Sequence, residues 1–287
     1  MKELAMQILD DYINKVKSLP PAPRLLPQLL RLLNEDDVDA GQVVDLITYD
    51  PGLTAKLLQR CNSAALGLSS PVHELSQAVA ILGFNKIYRL VAVVIGEGML
   101  GNAQHGYGID SGELWEHSAT TAIAAKVIAE RLGADEDLAF TAALLHDIGK
   151  VVLNGFLEGA YEPVLEQTGA SGKSFVETEK TILGVEHSEV GGRVLARWHF
   201  PENLVQAVWH HHDPAEACPH QQLAGYVYLA DLVAHCLGQA QGIQSFAVRG
   251  RPEVLEMLEI TPREIERFIL QTSAAVEEAH GVIPIHP

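Results

Sequence analysis

Cationic side chains are scarce in this chain. Its 287 residues hold 20 Lys+Arg against 37 Asp+Glu, a formal net charge of −17 with histidines neutral. A field of that sign repels phosphate backbones and anionic lipid, so neither nucleic acid nor a membrane is expected as a partner. Cysteine is nearly absent: Cys61, Cys218 and Cys236 form no CxxC pair and leave one thiol unmatched. That pattern excludes a disulfide scaffold and fits a reducing cytoplasm. No GxGxxG follows a strand pattern, and GxxxxGK followed by Ser or Thr does not occur, which argues against the glycine-rich phosphate loops. The longest apolar runs, such as LVAVVI (90–95), fall short of a membrane span. The opening MKELAMQILDDYINK carries acids within its apolar stretch and so is unlike a secretory leader. Period-two alternation is scarce too, which leaves little material for a sheet.

What remains is helical. Ala and Leu recur at spacings of three and four in an ordinary globular composition, 47% hydrophobic and 20% charged. Within 40–64, Asp50-Pro51 separates two helices, because Asp caps well and Pro is tolerated at the first helical position. ELSQAVAILG (74–83) reads as a helix closed by Gly83, and FNKIYRLVAVVI (84–95) as a buried one. GEGMLGNAQHGYGIDSGE (96–113) reads as a loop or hinge between two halves, and GASGKS (169–174) as a second loop. NEDDVD (34–39) reads as a solvated loop that caps a helix. Further helices are expected over 114–133, 135–146, about 175–199, 203–212 and 221–237. Thr261-Pro262-Arg263-Glu264 is a capping box for a last amphipathic helix with Ile265, Phe268, Ile269 and Val276 on one side.

Histidine is plentiful, 13 in all, and unevenly placed. Leu114, His117, Thr121, Ala125, Ile128 and Leu132 keep helical spacing, so His117 lies in an apolar stripe. Phe140, Ala143, Leu144 and Asp147 form another stripe, with His146 beside it. His187 opens a third with Val190, Gly191, Val194 and Trp198, and Leu204, Val208, His211 and His212 make a fourth. Leu223, Val227, Ala230 and Asp231 put Asp231 on an inward face. Any one of these residues alone reads as a hydrogen-bonded core group. Five helices each turning a histidine or aspartate inward are self-consistent if the groups surround a cation, because a buried carboxylate without a partner costs several kcal/mol, on the order of the penalty for desolvating a charge. Imidazole and carboxylate suit Zn, Fe, Mn or Ni. Adjacent His146 and Asp147 point about 100° apart on a helix, so both reach one ion only where the helix ends, an ending expected at Gly149. Trp115, Trp198, Trp209, Cys218 and Cys236 read as packing residues, as do His73, His105, His199, His220, His235, His280 and His286 as ordinary histidines.

The series His117, His146-Asp147 and Asp231 resembles the H…HD…D signature of the HD superfamily of metal-dependent phosphohydrolases. EHSEVGGRVLARWHFPENLVQAVWHHHDP (186–214) resembles the stretch that adds His187 and the pair His211-His212 in its HD-GYP-like branch, with His210-His211 as the alternative register. PPAPRLLPQLLRLLNEDD (20–37), DPGLTAKLLQRCNSAALGL (50–68) and QAVAILGFNKIYRLV (77–91) resemble the leading part of an HDOD domain, a bacterial signalling module. The resemblance covers about residues 18–240.

This resemblance implies an all-α fold: an N-terminal helical half over 1–100, a connecting loop over 101–113, a helical HD-like core over 114–245 and a C-terminal helical extension over 246–287. It implies signal transduction through protein partners, with the alternative of an active phosphohydrolase or phosphodiesterase on a phosphoester or nucleotide. The implied ligands are His117, His146, Asp147, His187, His211, His212 and Asp231 around one or two divalent ions (Fe, Mn, Zn, Ni or Mg), Asp147 bridging in catalysis. Lys150, a turn past His146, would contact a phosphate oxygen, or else is only a cation near a helix end. HDOD proteins are commonly regarded as degenerate at this site, yet all seven residues are present here. Asp213-Pro214-Ala215 follows His212 where HD-GYP proteins carry their GYP triplet, which speaks against cyclic-di-GMP hydrolysis.

Overall fold

The computed structural model describes residues 24–33, 35, 39–157, 175–239 and 251–285. The opening segment, the loop at 169–174, the 245/246 boundary, His286 and most of NEDDVD lie outside the described residues. Among those described, the elements are α-helices and short 3-10 turns, with one isolated bridge between Gln104 and Ile109. The all-α expectation is met.

Helix starts in the front half follow local chemistry. The Asp39 carboxylate caps α2 (Ala40–Thr48) by accepting from Gly41 N at 2.8 Å. Asp50 caps α3 (Pro51–Cys61) by accepting from Leu53 N at 3.0 Å, with Pro51 first in the helix. With α1 (Leu25–Leu33) and α4 (Leu75–Leu82), α3 packs directly on the long α5 (Phe84–Leu100), and α2 packs on α3 and α4. The glycine-rich segment does not begin as a loop at 96. Helix α5 runs through Gly96 and Gly98 to Leu100, and the connection starts at Gly101. A Cβ on Gly96 would lie 3.0 Å from Trp115 and 3.2 Å from Leu144, so that glycine serves close helix packing. Burial of Val91, Met99 and Leu100 outweighs the weak helix propensity of the glycines.

α5 joins the halves. It packs on α6 (Glu113–Leu132), α7 (Glu136–Leu145) and α8 (Ile148–Leu157). The Tyr88 hydroxyl pairs with the Thr141 hydroxyl at 2.7 Å, and Arg89 bridges Asp137 at 2.5 Å and Glu136 at 3.1 Å. The rear half continues with α9 (Phe175–Leu183), α10 (His187–Arg197), α11 (Glu202–Trp209) and α12 (Gln221–Cys236). α6 packs against α7 and α12, and α10 against α8 and α11. The single helix expected over 175–199 is broken at Gly184, where φ is 77°, and the one over 203–212 stops at Trp209.

The C-terminal region closes on this body. α13 (Pro252–Met257) precedes α14 (Pro262–Ala279), whose capping box forms as expected: Glu264 accepts from Thr261 N at 3.0 Å. α14 packs on α6 and α12 through buried Phe268. The following tail returns to both halves, with Arg60 donating to Val282 O at 2.9 Å and Trp115 Nε1 to Pro284 O at 2.8 Å. Cys61 is buried, whereas Cys218 and Cys236 are exposed, which corrects their reading as packing residues. Glu136–Leu157 is long and apolar enough to cross a membrane by length and composition, although no single run is; its most apolar window is 78% buried inside the protein.

Candidate metal centre

The seven expected side chains come from separate elements and meet. His117 sits in the second turn of α6, and Asp231 midway along α12. His187 is the first residue of α10, and His211 and His212 follow the end of α11. His146 and Asp147 occupy the break between α7 and α8, so consecutive side chains both reach the cavity. The break is not caused by Gly149, as the sequence suggested, because Gly149 lies inside α8. Its role is contact: a Cβ there would lie 1.8 Å from His187 O, so only glycine lets α8 and α10 approach this closely.

The distances define one cluster. His117 Nε2 is 3.1 Å from Asp231 Oδ1 and 3.8 Å from Asp147 Oδ2. His146 Nε2 lies 3.4 Å from Asp147 Oδ2, and His187 Nε2 3.3 Å from Asp147 Oδ1. The Nε2 atoms of His187 and His212 are 2.9 Å apart, and the His146 and His211 ring centroids 5.0 Å apart. Lys150, buried, places Nζ 2.6 Å from Asp147 Oδ2. His211 and His212 enter the cluster, while half-buried His210 lines the cavity outside it, so the geometry favours the 211-212 register.

Tautomers follow from the partners. The Ala143 carbonyl accepts from His146 Nδ1 at 2.6 Å, and the Val208 carbonyl from His211 Nδ1 at 2.7 Å. Each ring thus turns an Nε2 lone pair inward. Glu179 Oε2 accepts from His187 Nδ1 at 2.8 Å, and Tyr107 donates to the other oxygen of the same carboxylate. Outer partners of this kind fix ring orientation in metal sites. His211 Nε2, Asp147 Oδ1 and Asp231 Oδ1 are buried and make no hydrogen bond.

Electrostatics suit a cation. Burial pushes His211 down to about 3 and holds His146 and His212 below their ordinary value, so these imidazoles are neutral near pH 7. Burial pushes Asp147 upward, but His146, Lys150 and His187 outweigh it and hold the carboxyl well below its usual range. Asp231 is likewise held low, by His235 and His117. A cavity of about 410 Å³ lies over the cluster, with His212 and Asp231 among its lining and Lys180, Trp209, Tyr228 and Arg251 on its walls.

Two participants escaped the sequence reading. His235, taken as an ordinary histidine, has Nε2 3.4 Å from Asp231 Oδ1; its i,i+4 spacing from Asp231 was the available signal. Glu179 is buried and holds His187, and no spacing rule points to it.

An all-helical domain with such a His/Asp cluster defines a module of the HD type. The HDOD domain family matches residues 19–214, and the chain belongs to that family. It is 26% identical over 216 residues to an uncharacterized protein of Treponema pallidum (strain Nichols), covering 74% of this chain and 40% of that one. The chain spans less than half the length of the curated relatives it matches. Among solved structures it resembles an HDOD domain protein of unknown function from Geobacter sulfurreducens, with a TM-score of 0.69 and 25% identity over 98% of this chain and 96% of that one. It shares its fold with a protein from Marinobacter aquaeolei VT8 provisionally described as acting in signal transduction, with a TM-score of 0.78 and 19% identity over 99% of this chain and 66% of that one.

Proposed function

We propose that this chain is a bacterial signal-transduction module whose HD-type site holds a divalent cation, and that it acts mainly by binding other proteins. The observation that carries the reading is the convergence of buried, unpaired donor atoms on His211, Asp147 and Asp231. Buried polar atoms are normally satisfied, and bound cations would engage all three. His117, His146, Asp147 and Asp231 would hold one ion, and His187, His211 and His212 a second, with Asp147 between. The histidine-rich donor set suits Zn, Fe, Mn or Ni better than Mg, which prefers oxygen. Partner binding is supported by the front half, where Tyr49 and Ile81 are large exposed apolar side chains and Tyr49 borders a cavity of about 660 Å³.

A second reading, a phosphohydrolase on a phosphoester or nucleotide, is favoured by one arrangement. Buried Lys150 and the cluster lie beneath a cavity able to admit a small phosphoester. When bound, a divalent cation supplies Lewis acidity, drawing charge from a phosphoryl oxygen and acidifying water. Lys150 Nζ would meet a phosphate oxygen, Glu179 would keep the His187 ring turned inward, and the apolar helix faces would exclude bulk water.

Turnover of an aryl phosphate monoester and a bis-aryl phosphodiester by metal-loaded protein tests the choice. The signalling reading expects rates no higher than those of His146→Ala. Turnover that disappears in His146→Ala, with helicity retained, would replace it with the enzyme reading.

A further inference from the structure

One more donor reaches the cluster from outside the seven. His235 stands one turn after Asp231 on α12, so both project from the same face. Its Nε2 lies 3.4 Å from Asp231 Oδ1, and its ring centroid 5.2 Å from that of His117. His117 Nε2 approaches the same Oδ1 at 3.1 Å. Ligand atoms of His117, Asp231 and His235 all lie within 4.8 Å of one another, and His117 is shared with the neighbouring triad His117, His146 and Asp147. Two imidazoles therefore face one buried carboxylate oxygen that makes no hydrogen bond. Lone pairs converging in this way repel unless a proton or a cation lies among them. A cation resolves the arrangement at all three atoms.

We infer that His235 is a ligand of the metal centre, giving Nε2 to a divalent cation that it holds with His117 and Asp231. This rests on the proposed metal-binding reading and extends it from seven donors to eight. The His235 side chain is 11% exposed, so this end of the centre lies nearer solvent than fully buried His187 and His211. Substitution at 235 therefore removes a ligand without opening a deep cavity.

Cobalt binding to the full chain tests the assignment in a Cys236→Ser background, which removes the neighbouring exposed thiol. His235→Cys is expected to acquire a near-ultraviolet thiolate-to-cobalt charge-transfer band that the 235-histidine parent lacks. His235→Ala is expected to bind cobalt about 10–100-fold more weakly, the range known for loss of even outer-shell partners, with helicity unchanged. Absence of the band overturns ligation, and weaker binding by His235→Ala without it leaves His235 as a positioning residue only. If the parent binds cobalt and His235→Ala matches it in affinity and stoichiometry, this inference fails while the metal-binding reading stands. If the parent binds none, both fail.

Discussion

Glu179 and His187 are locked together by one carboxylate oxygen: Glu179 Oε2 accepts from both the backbone N–H and the ring Nδ1–H of His187, each at 2.8 Å. That oxygen thus fixes both the start of α10 and the orientation of its first side chain. Glu179→Gln keeps the volume and weakens the acceptor. It is expected to lower metal affinity about 10–100-fold, read by calorimetric titration. Chemical denaturation of the metal-free protein should show a loss on the order of 1–3 kcal/mol, the cost of leaving buried donors poorly paired. Unchanged affinity would mean that the Glu179 contact does not set the ring.

The approach of α8 to α10 makes a second prediction. Gly149→Ala would drive its Cβ to 1.8 Å from His187 O, while at Gly191 the nearest atom to an added Cβ is Val208 Cγ1 at 3.3 Å. Gly149→Ala should therefore cost about 1–3 kcal/mol or more through overpacking, and Gly191→Ala clearly less. Thermal melting of the two variants checks the order, and equal melting temperatures would contradict the packing geometry.

Acid should weaken the metal-free fold before the carboxylates titrate. His211 is lowered from 6.5 to about 3 and His235 from 6.5 to about 4 in the folded protein. As pH falls below about 6.5, the unfolded chain takes up protons that the folded one refuses, so stability is lost across pH 6.5 to 4. Asp147 and Asp231, held below the usual carboxylate range, add their loss only at lower pH. Denaturant midpoints at pH 7, 5.5 and 4.5 in chelator should decline steadily, and a flat profile over that window would contradict the buried neutral imidazoles.

Much of this was legible in the chain. His117, His187 and Asp231 stand out because a polar group in an apolar helical stripe breaks the pattern that packing demands. The caps at Asp50 and Thr261 were legible because capping is local chemistry. Gly96 and Gly149 were misread for the opposite reason. Propensity marks glycine as a breaker, whereas here each permits a close approach by a distant helix, which local sequence does not encode. Glu179 was invisible because its contact with His187 depends on the turn at Gly184. His235 was legible through its spacing from Asp231, but one inward group per helix already explained α12.

The account depends on the cluster being a metal site. Metal analysis of protein purified without chelator, set beside Asp147→Ala, tests it most directly. A transition metal in stoichiometric amount is expected in the natural sequence and a large loss in Asp147→Ala, both with native helicity. Folded protein that carries no metal after aerobic and anaerobic preparation, and takes up none on addition of Zn, Mn, Fe or Ni, would contradict it.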